Sequence, residues 1–205
     1  MKKLFLTSVF AKTAKEFKKF YGETNGKSAV FIPTAANADG GGTIYVKRQR
    51  RALEKLGIKA CVLDISVAES NEITAKLLNS DIIYIGGGNT FYLLQELKRS
   101  GADMIIREQI ALGKAYIGES AGAVIVAPSI TYIEDMDDRA AAPDLSDCSA
   151  LGLVDFYPLP HMNSFPFKKA SRKIAGKYSN SLPIKAMTNN QAICVCNNEI
   201  KIIGK

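Results

Sequence analysis

Five short runs of almost wholly apolar residues, each separated from the next by a longer amphipathic stretch, restrict this chain to very few folds. Leu4-Phe5-Leu6, Ala29-Val30-Phe31-Ile32, Ala60-Cys61-Val62-Leu63, Ile82-Ile83-Tyr84-Ile85 and Ala115-Tyr116-Ile117 show no alternation of apolar with polar residues. A strand with one wet face would alternate, so these runs predict strands buried on both faces, as in a parallel sheet covered by helices. The intervening stretches supply the helices. Phe10, Ala14, Phe17 and Tyr21 recur at helical spacing, as do Leu94 and Leu97 after Thr90, and Ile106 and Ile110 after Asp103. Gly57, Gly101 and Gly113 stand where C-terminal caps belong, and Thr90 and Asp103 where N-caps belong. Near the end, residues 192–196 and 199–203 flank Asn197-Asn198, a pair that tolerates left-handed backbone and so predicts a two-residue hairpin. The expected architecture is α/β: one domain over residues 1–205, a doubly wound, mostly parallel sheet with helices on both faces and a C-terminal β-hairpin.

Composition narrows the function classes. With 205 residues, 47% of them apolar, the chain is long enough for one large core and short for two. A formal charge of +7 would suit an anionic partner. The basic residues are nevertheless spread over several segments. The densest run, Lys47-Arg48-Gln49-Arg50-Arg51, lies in an amphipathic stretch over residues 43–56 with no aromatic interleaving for base stacking, which reads as a solvated helix face and not as a nucleic-acid site. Cys61, Cys148, Cys194 and Cys196 form no C-x-x-C pair and have no histidine cluster beside them, so neither a metal site nor a redox motif is expected, and a reducing cytoplasm fits. The basic start imitates a signal peptide, but Thr7 and Ser8 interrupt its apolar stretch, and a buried first strand is the better reading. No apolar run approaches the roughly twenty residues that span a bilayer.

In doubly wound folds, sites gather beyond the C-terminal ends of strands. Two loops occupy such positions. Gly118-Glu119-Ser120-Ala121-Gly122 follows an apolar run and has the G-x-S-x-G form of a nucleophile elbow, in which a sharp strand-to-helix turn leaves no room for side chains around the serine. Gly86-Gly87-Gly88-Asn89-Thr90 precedes a helix, and its backbone N–H groups suit an oxyanion. It lacks the third glycine of a dinucleotide fingerprint, Phe91 standing in that place, and lacks the Lys-Ser/Thr pair of a phosphate loop. Beside a serine elbow it supplies the second oxyanion donor, Gly88 with Gly87 behind it, the first donor being the N–H of Ala121.

A serine hydroxyl needs a base within hydrogen-bond reach. The chain has one histidine, His161, in Leu159-Pro160-His161-Met162-Asn163 just after another apolar run. An orienting acid is expected from Glu134-Asp135-Met136-Asp137-Asp138, which lies between serine and histidine, and spacing alone does not choose among its four carboxylates.

Taken together, Gly86-Gly87-Gly88-Asn89-Thr90-Phe91 with its Leu-Leu helix, Gly118-Glu119-Ser120-Ala121-Gly122-Ala123 and the downstream Pro160-His161 resemble the peptidase E family of serine dipeptidases, relatives of cyanophycinase. The resemblance runs over residues 4–163. It implies a fold like the class I glutamine amidotransferase domain, with Ser120 as nucleophile and His161 as base. It selects Asp135 as the acid, just before Met136, with Glu134 second. It implies no cofactor, a small peptide as the partner, with N-terminal aspartate as the residue read, and Asn89 of the glycine loop at the substrate. After His161 the chain departs from the family's Gly-, Glu- and Arg-rich stretch: Asn163-Ser164-Phe165-Pro166-Phe167-Lys168-Lys169 stands there instead, with Arg172 further on. Lys168, Lys169, Arg172 and Arg139 are the candidate readers of a substrate carboxylate. A lysine does not reproduce the bidentate geometry of arginine, so the resemblance carries the reaction over but not the preference for aspartate. The alternatives are a hydrolase of another small amide, isopeptide or ester, and a ligand-binding relative without turnover. A homodimer is compatible with a compact basic domain, although no stripe in the sequence marks its interface.

Overall fold

The computed structural model describes residues 1–40 and 42–205. A seven-stranded sheet forms the centre, in the order β3-β2-β4-β5-β1-β8-β9. Its parallel part comprises β1 (Lys3–Thr7), β2 (Ser28–Ile32), β3 (Lys59–Val62), β4 (Ile82–Ile85) and β5 (Ala115–Glu119). The expected hairpin, β8 (Gln191–Cys196) and β9 (Glu199–Gly204), is joined to β1 in antiparallel register, Leu4 opposite Val195. Helices α1 (Phe10–Tyr21) and α2 (Thr43–Glu54) cover one face. On the other lie α3 (Ser70–Asn79), α4 (Thr90–Ser100), α5 (Ala102–Ala111) and the short α6 (Ala121–Val124).

Because successive side chains of a strand point to opposite faces, each apolar run feeds two cores. Leu4, Leu6, Val30, Ile32, Ile83 and Ile85 face α3 to α6, while Phe5, Phe31, Ala29 and Tyr84 face Phe10 and Phe17 of α1 and Leu53 of α2. The aromatic face is edge-to-face and stacked, with Phe5 and Phe17 centroids 5.3 Å apart and Phe31 and Tyr84 4.6 Å apart. β3 departs from the expectation of burial on both faces. It is the edge strand, and Lys59 and Cys61 on its outer face are exposed.

Two helix starts lie earlier than the sequence predicts, α4 by one residue and α5 by two. Asn89 caps α4, its Oδ1 accepting from the Tyr92 N–H at 3.0 Å, so Thr90 is the first helical residue. α5 follows directly on Gly101, which ends α4 with φ 72°, and Asp103 falls inside its first turn. All four cysteines are free thiols, and burial pushes Cys194 up to about 12. No described helix is long and apolar enough to cross a membrane.

After α6 the chain crosses the sheet top through two short 3-10 turns and builds a second, two-stranded parallel ladder, β6 (Tyr157–Leu159) with β7 (Ile184–Ala186), bridged by α7 (Lys168–Tyr178). This ladder places two loop residues over the C-terminal ends of β1 and β5.

Candidate active site

Ser120 follows β5 with φ 50° and ψ −110°, a conformation rarely open to a residue with a side chain. Neighbouring backbone holds it there. The Ser120 N–H donates to the Thr7 carbonyl at 2.9 Å, and the Gly122 N–H to the Gly86 carbonyl at 3.2 Å. A Cβ on Gly122 would stand 2.1 Å from the Ile85 carbonyl oxygen, so the α6 backbone lies against the end of β4 in a way only glycine allows. The turn has the geometry the G-x-S-x-G spacing implied.

The Ser120 hydroxyl donates to His161 Nε2 at 2.9 Å. His161 comes from the loop after β6. Its backbone, at φ 60°, is held by an N–H bond to Ser8 Oγ at 2.9 Å, and its ring lies against Phe167 with centroids 4.8 Å apart. His161 Nδ1 meets Asn189 Oδ1 at 2.7 Å. A side-chain carbonyl oxygen only accepts, so Nδ1 carries the proton and the Nε2 lone pair faces the serine, the tautomer a general base requires. Burial pushes the imidazole below its usual value, and the Asn189 bond partly opposes that shift.

The acid selected by the resemblance lies elsewhere. Asp135 Oδ1 accepts from Lys173 Nζ at 2.6 Å, with Lys177 Nζ 3.9 Å from Oδ2, and this pair ties the crossing loop to the outer face of α7. Asp135 is therefore corrected from orienting acid to surface ion-pair partner, and Asn189 takes the position at Nδ1. The other three acids are also engaged. Glu134 pairs with Arg139 at 3.5 Å, Asp137 Oδ2 accepts from the Thr90 N–H at 2.9 Å and from the Thr90 hydroxyl, and Asp138 Oδ1 accepts from the Ala140 N–H at 2.8 Å.

Gly87 and Gly88 pass beside the nucleophile: a Cβ on Gly87 would be 3.0 Å from Ser120 Cβ. Gly88, at φ 137°, would carry a Cβ 2.2 Å from the Ala35 backbone. The Gly87 N–H is taken by the Tyr45 hydroxyl at 2.6 Å. The N–H groups of Gly88 and Ala121, the two expected oxyanion donors, make no backbone hydrogen bond among the described residues.

Beneath the elbow lies a carboxylate whose role the sequence did not announce. Glu119 is buried, and it accepts from the hydroxyls of Tyr84 (2.6 Å) and Tyr45 (2.7 Å), the Phe10 N–H (3.1 Å) and Gln49 Nε2 (3.1 Å). Burial pushes its carboxyl upward, while the hydrogen bonds from Tyr84, Tyr45 and Phe10 pull it back. Through Tyr45 it links the strand before the nucleophile to Gly87 of the oxyanion loop.

A cavity of about 620 Å³ opens over Ser120 and His161, within the range of small-molecule sites. Among the described residues Arg48 is the one lysine or arginine lining it, and Asp137 and Asp138 line it as well. Asn89 lines it too, but its amide is committed to the α4 cap and to the Asp138 carbonyl, 2.8 Å from Nδ2. Lys168, Lys169, Arg172 and Arg139 do not line it. Lys168, Lys169 and Arg172 stand exposed on the first turns of α7, Arg172 bonding Asn163 Oδ1 at 2.7 Å, and Arg139 is drawn to Glu134; these carboxylate-reader assignments are corrected. Among the described residues no group of three His, Cys, Asp or Glu side chains is arranged to hold a metal.

A strained serine at a strand end, an imidazole in the accepting tautomer and two N–H groups with no partner among the described residues, over a doubly wound sheet, define a serine hydrolase. A family model, Peptidase family S51, matches residues 4–203, and the chain belongs to that family of serine-type peptidases. It is 48% identical over 200 residues to an uncharacterized peptidase of Listeria innocua, covering 98% of this chain and 95% of that protein. An uncharacterized peptidase of Pasteurella multocida is 49% identical over 203 residues, or 99% and 97% of the two chains. Peptidase E of Shewanella amazonensis is 34% identical over 141 residues, which cover 69% of this chain and 56% of that protein. A crystal structure from Listeria monocytogenes, described provisionally as a peptidase E, superposes with a TM-score of 0.95 at 47% identity, covering 100% of this chain and 99% of that one.

Proposed function

We propose that the chain hydrolyses short peptides through an acyl-enzyme, with Ser120 as nucleophile, His161 as base and Asn189 as the residue that orients it. The observation that carries this reading is the continuous line from Ser120 Oγ through His161 to Asn189 Oδ1, at 2.9 and 2.7 Å. Ser120 Oγ attacks the scissile carbonyl carbon as Nε2 takes its proton. The carbonyl oxygen, now negative, turns toward the N–H groups of Gly88 and Ala121. Collapse of the tetrahedral intermediate expels the amine, which leaves with the proton from Nε2, and a water activated by the same imidazole then hydrolyses the ester. An amide in place of the usual carboxylate still fixes the tautomer but contributes no full charge to the imidazolium.

With Lys169, Arg172 and Arg139 outside the cavity, a substrate carboxylate, such as that of an N-terminal aspartate, falls to Arg48, while the carboxylates of Asp137 and Asp138 face a substrate ammonium. The test is hydrolysis of Asp-Leu beside Glu-, Ala- and Lys-led dipeptides by the wild type and by Ser120→Ala. Serine-dependent cleavage that favours the acidic residues supports the reading. Cleavage that survives Ser120→Ala, or none on any peptide, removes it.

A further inference from the structure

A second cavity, of about 860 Å³, lies between α1 and α2. Ala11, Ala14, Ala52 and Leu56 form its apolar floor, and six cations line it: Lys12 and Lys15 from α1, then Lys47, Arg48, Arg51 and Lys55 along one face of α2 and its end. No carboxylate lines it among the described residues, and none of the six cations belongs to an ion pair, whereas Lys19 and Arg50 on neighbouring faces of the same helices are paired. Six like charges around one groove repel one another, and a solvated helix face would intersperse acids to relieve this. Arg48 lines this groove and the catalytic cavity alike, so the two are neighbours across a single side chain.

We infer that the α1/α2 groove binds the acidic segment of a longer peptide substrate whose reactive end lies at Ser120. The inference rests on the peptidase reading above and extends it from dipeptides to acidic peptides. Carboxylates along such a chain meet the lysine and arginine heads, and their aliphatic stems lie over the alanine floor. A nucleic acid is the lesser fit, because among the described residues no aromatic side chain lines the groove for base stacking and the adjoining site is the one proposed to cleave peptides.

The experiment separates binding from cleavage. Fluorescence anisotropy with the intact Ser120→Ala protein is read against a labelled hexaglutamate peptide, a hexaglutamine peptide and a short single-stranded oligonucleotide. The same titrations use Ser120→Ala carrying Lys15→Glu, Arg51→Glu and Lys55→Glu, three exposed positions whose reversal leaves both cores intact. Circular dichroism confirms the fold of each protein, and a Lys15→Gln, Arg51→Gln, Lys55→Gln version replaces the reversal if that one does not fold. Hexaglutamate is expected to bind, hexaglutamine at least tenfold more weakly, and the reversed groove at least tenfold more weakly again, with affinity falling as salt rises. Equal binding of the two peptides, unchanged binding in the altered groove, or tighter binding of the oligonucleotide overturns the inference. Because no turnover is read, the dipeptide assay reports separately on the peptidase reading.

Discussion

Replacing Asn189 by alanine tests the least expected member of the site. The 2.7 Å bond from His161 Nδ1 becomes charge-assisted as the imidazole takes the serine proton, and such bonds contribute about 1.5–3 kcal/mol. Carried wholly into the transition state, that loss lowers kcat by about ten- to 150-fold at ~1.4 kcal/mol per tenfold. Loss of the one acceptor that fixes both the ring orientation and the Nδ1–H tautomer deepens the defect. Asn189→Asp should act in the opposite sense on proton affinity: a carboxylate beside the imidazolium raises the His161 pKa and moves the acid limb of the pH–rate profile upward. Steady-state kinetics of both variants on the best dipeptide, with Asp135→Asn alongside, give the answer. Asp135 sits in a surface ion pair with Lys173, worth less than about 1 kcal/mol, so its amide should leave kcat within about twofold. The assignment is refuted if Asn189→Ala keeps kcat within about threefold while Asp135→Asn abolishes it.

The proposed base, His161, acts as the neutral imidazole and burial lowers its pKa, so kcat/KM of the wild type should rise with pH and level off with a midpoint below about 6.5; a midpoint above that value contradicts the burial argument. Gly88→Ala must push a Cβ away from Ala35 and shift an oxyanion donor, and single-turnover acylation should slow by about 10²–10³-fold; a rate within tenfold of wild type would place the oxyanion elsewhere. Glu119→Gln sets an amide NH2 against donors that now share two carboxylate oxygens, and urea denaturation should show a loss of about 1–3 kcal/mol; an unchanged midpoint would mean that the network rearranges freely.

The features that sequence reading reached are those written locally. Ser120, Gly88 and Ala121 each lie in one turn whose residue types follow from close backbone approach, and the β-strands before them are contiguous apolar runs. His161 was reachable because it is the one imidazole in the chain. Asn189 was not, since its position depends on β7 pairing with β6, a ladder of three-residue strands whose register leaves no periodic trace. It also sits in Thr188-Asn189-Asn190, which reads as a polar turn, and the residue type expected beside a catalytic imidazole is a carboxylate. Asp135 rests on the family resemblance alone, and a shared motif does not show which way the crossing loop of this chain turns its side chains. Arg48 was set among solvated residues because a helix face cannot reveal which cavity its end borders. The exposure of β3 follows from strand order, and nothing in Ala60-Cys61-Val62-Leu63 distinguishes an edge from a centre.

His161 and Asn189 are both carried by the small β6–β7 ladder, whereas Ser120 belongs to the main sheet, and Ser8 spans the two by accepting from the His161 N–H and donating to the Met187 carbonyl at 3.2 Å. The proposed base and its orienter therefore share one ladder, and the proposed nucleophile stands on another sheet. A displacement of that ladder by about an ångström would part Nε2 from the Ser120 hydroxyl while leaving the Nδ1 bond to Asn189, and so the tautomer, unchanged.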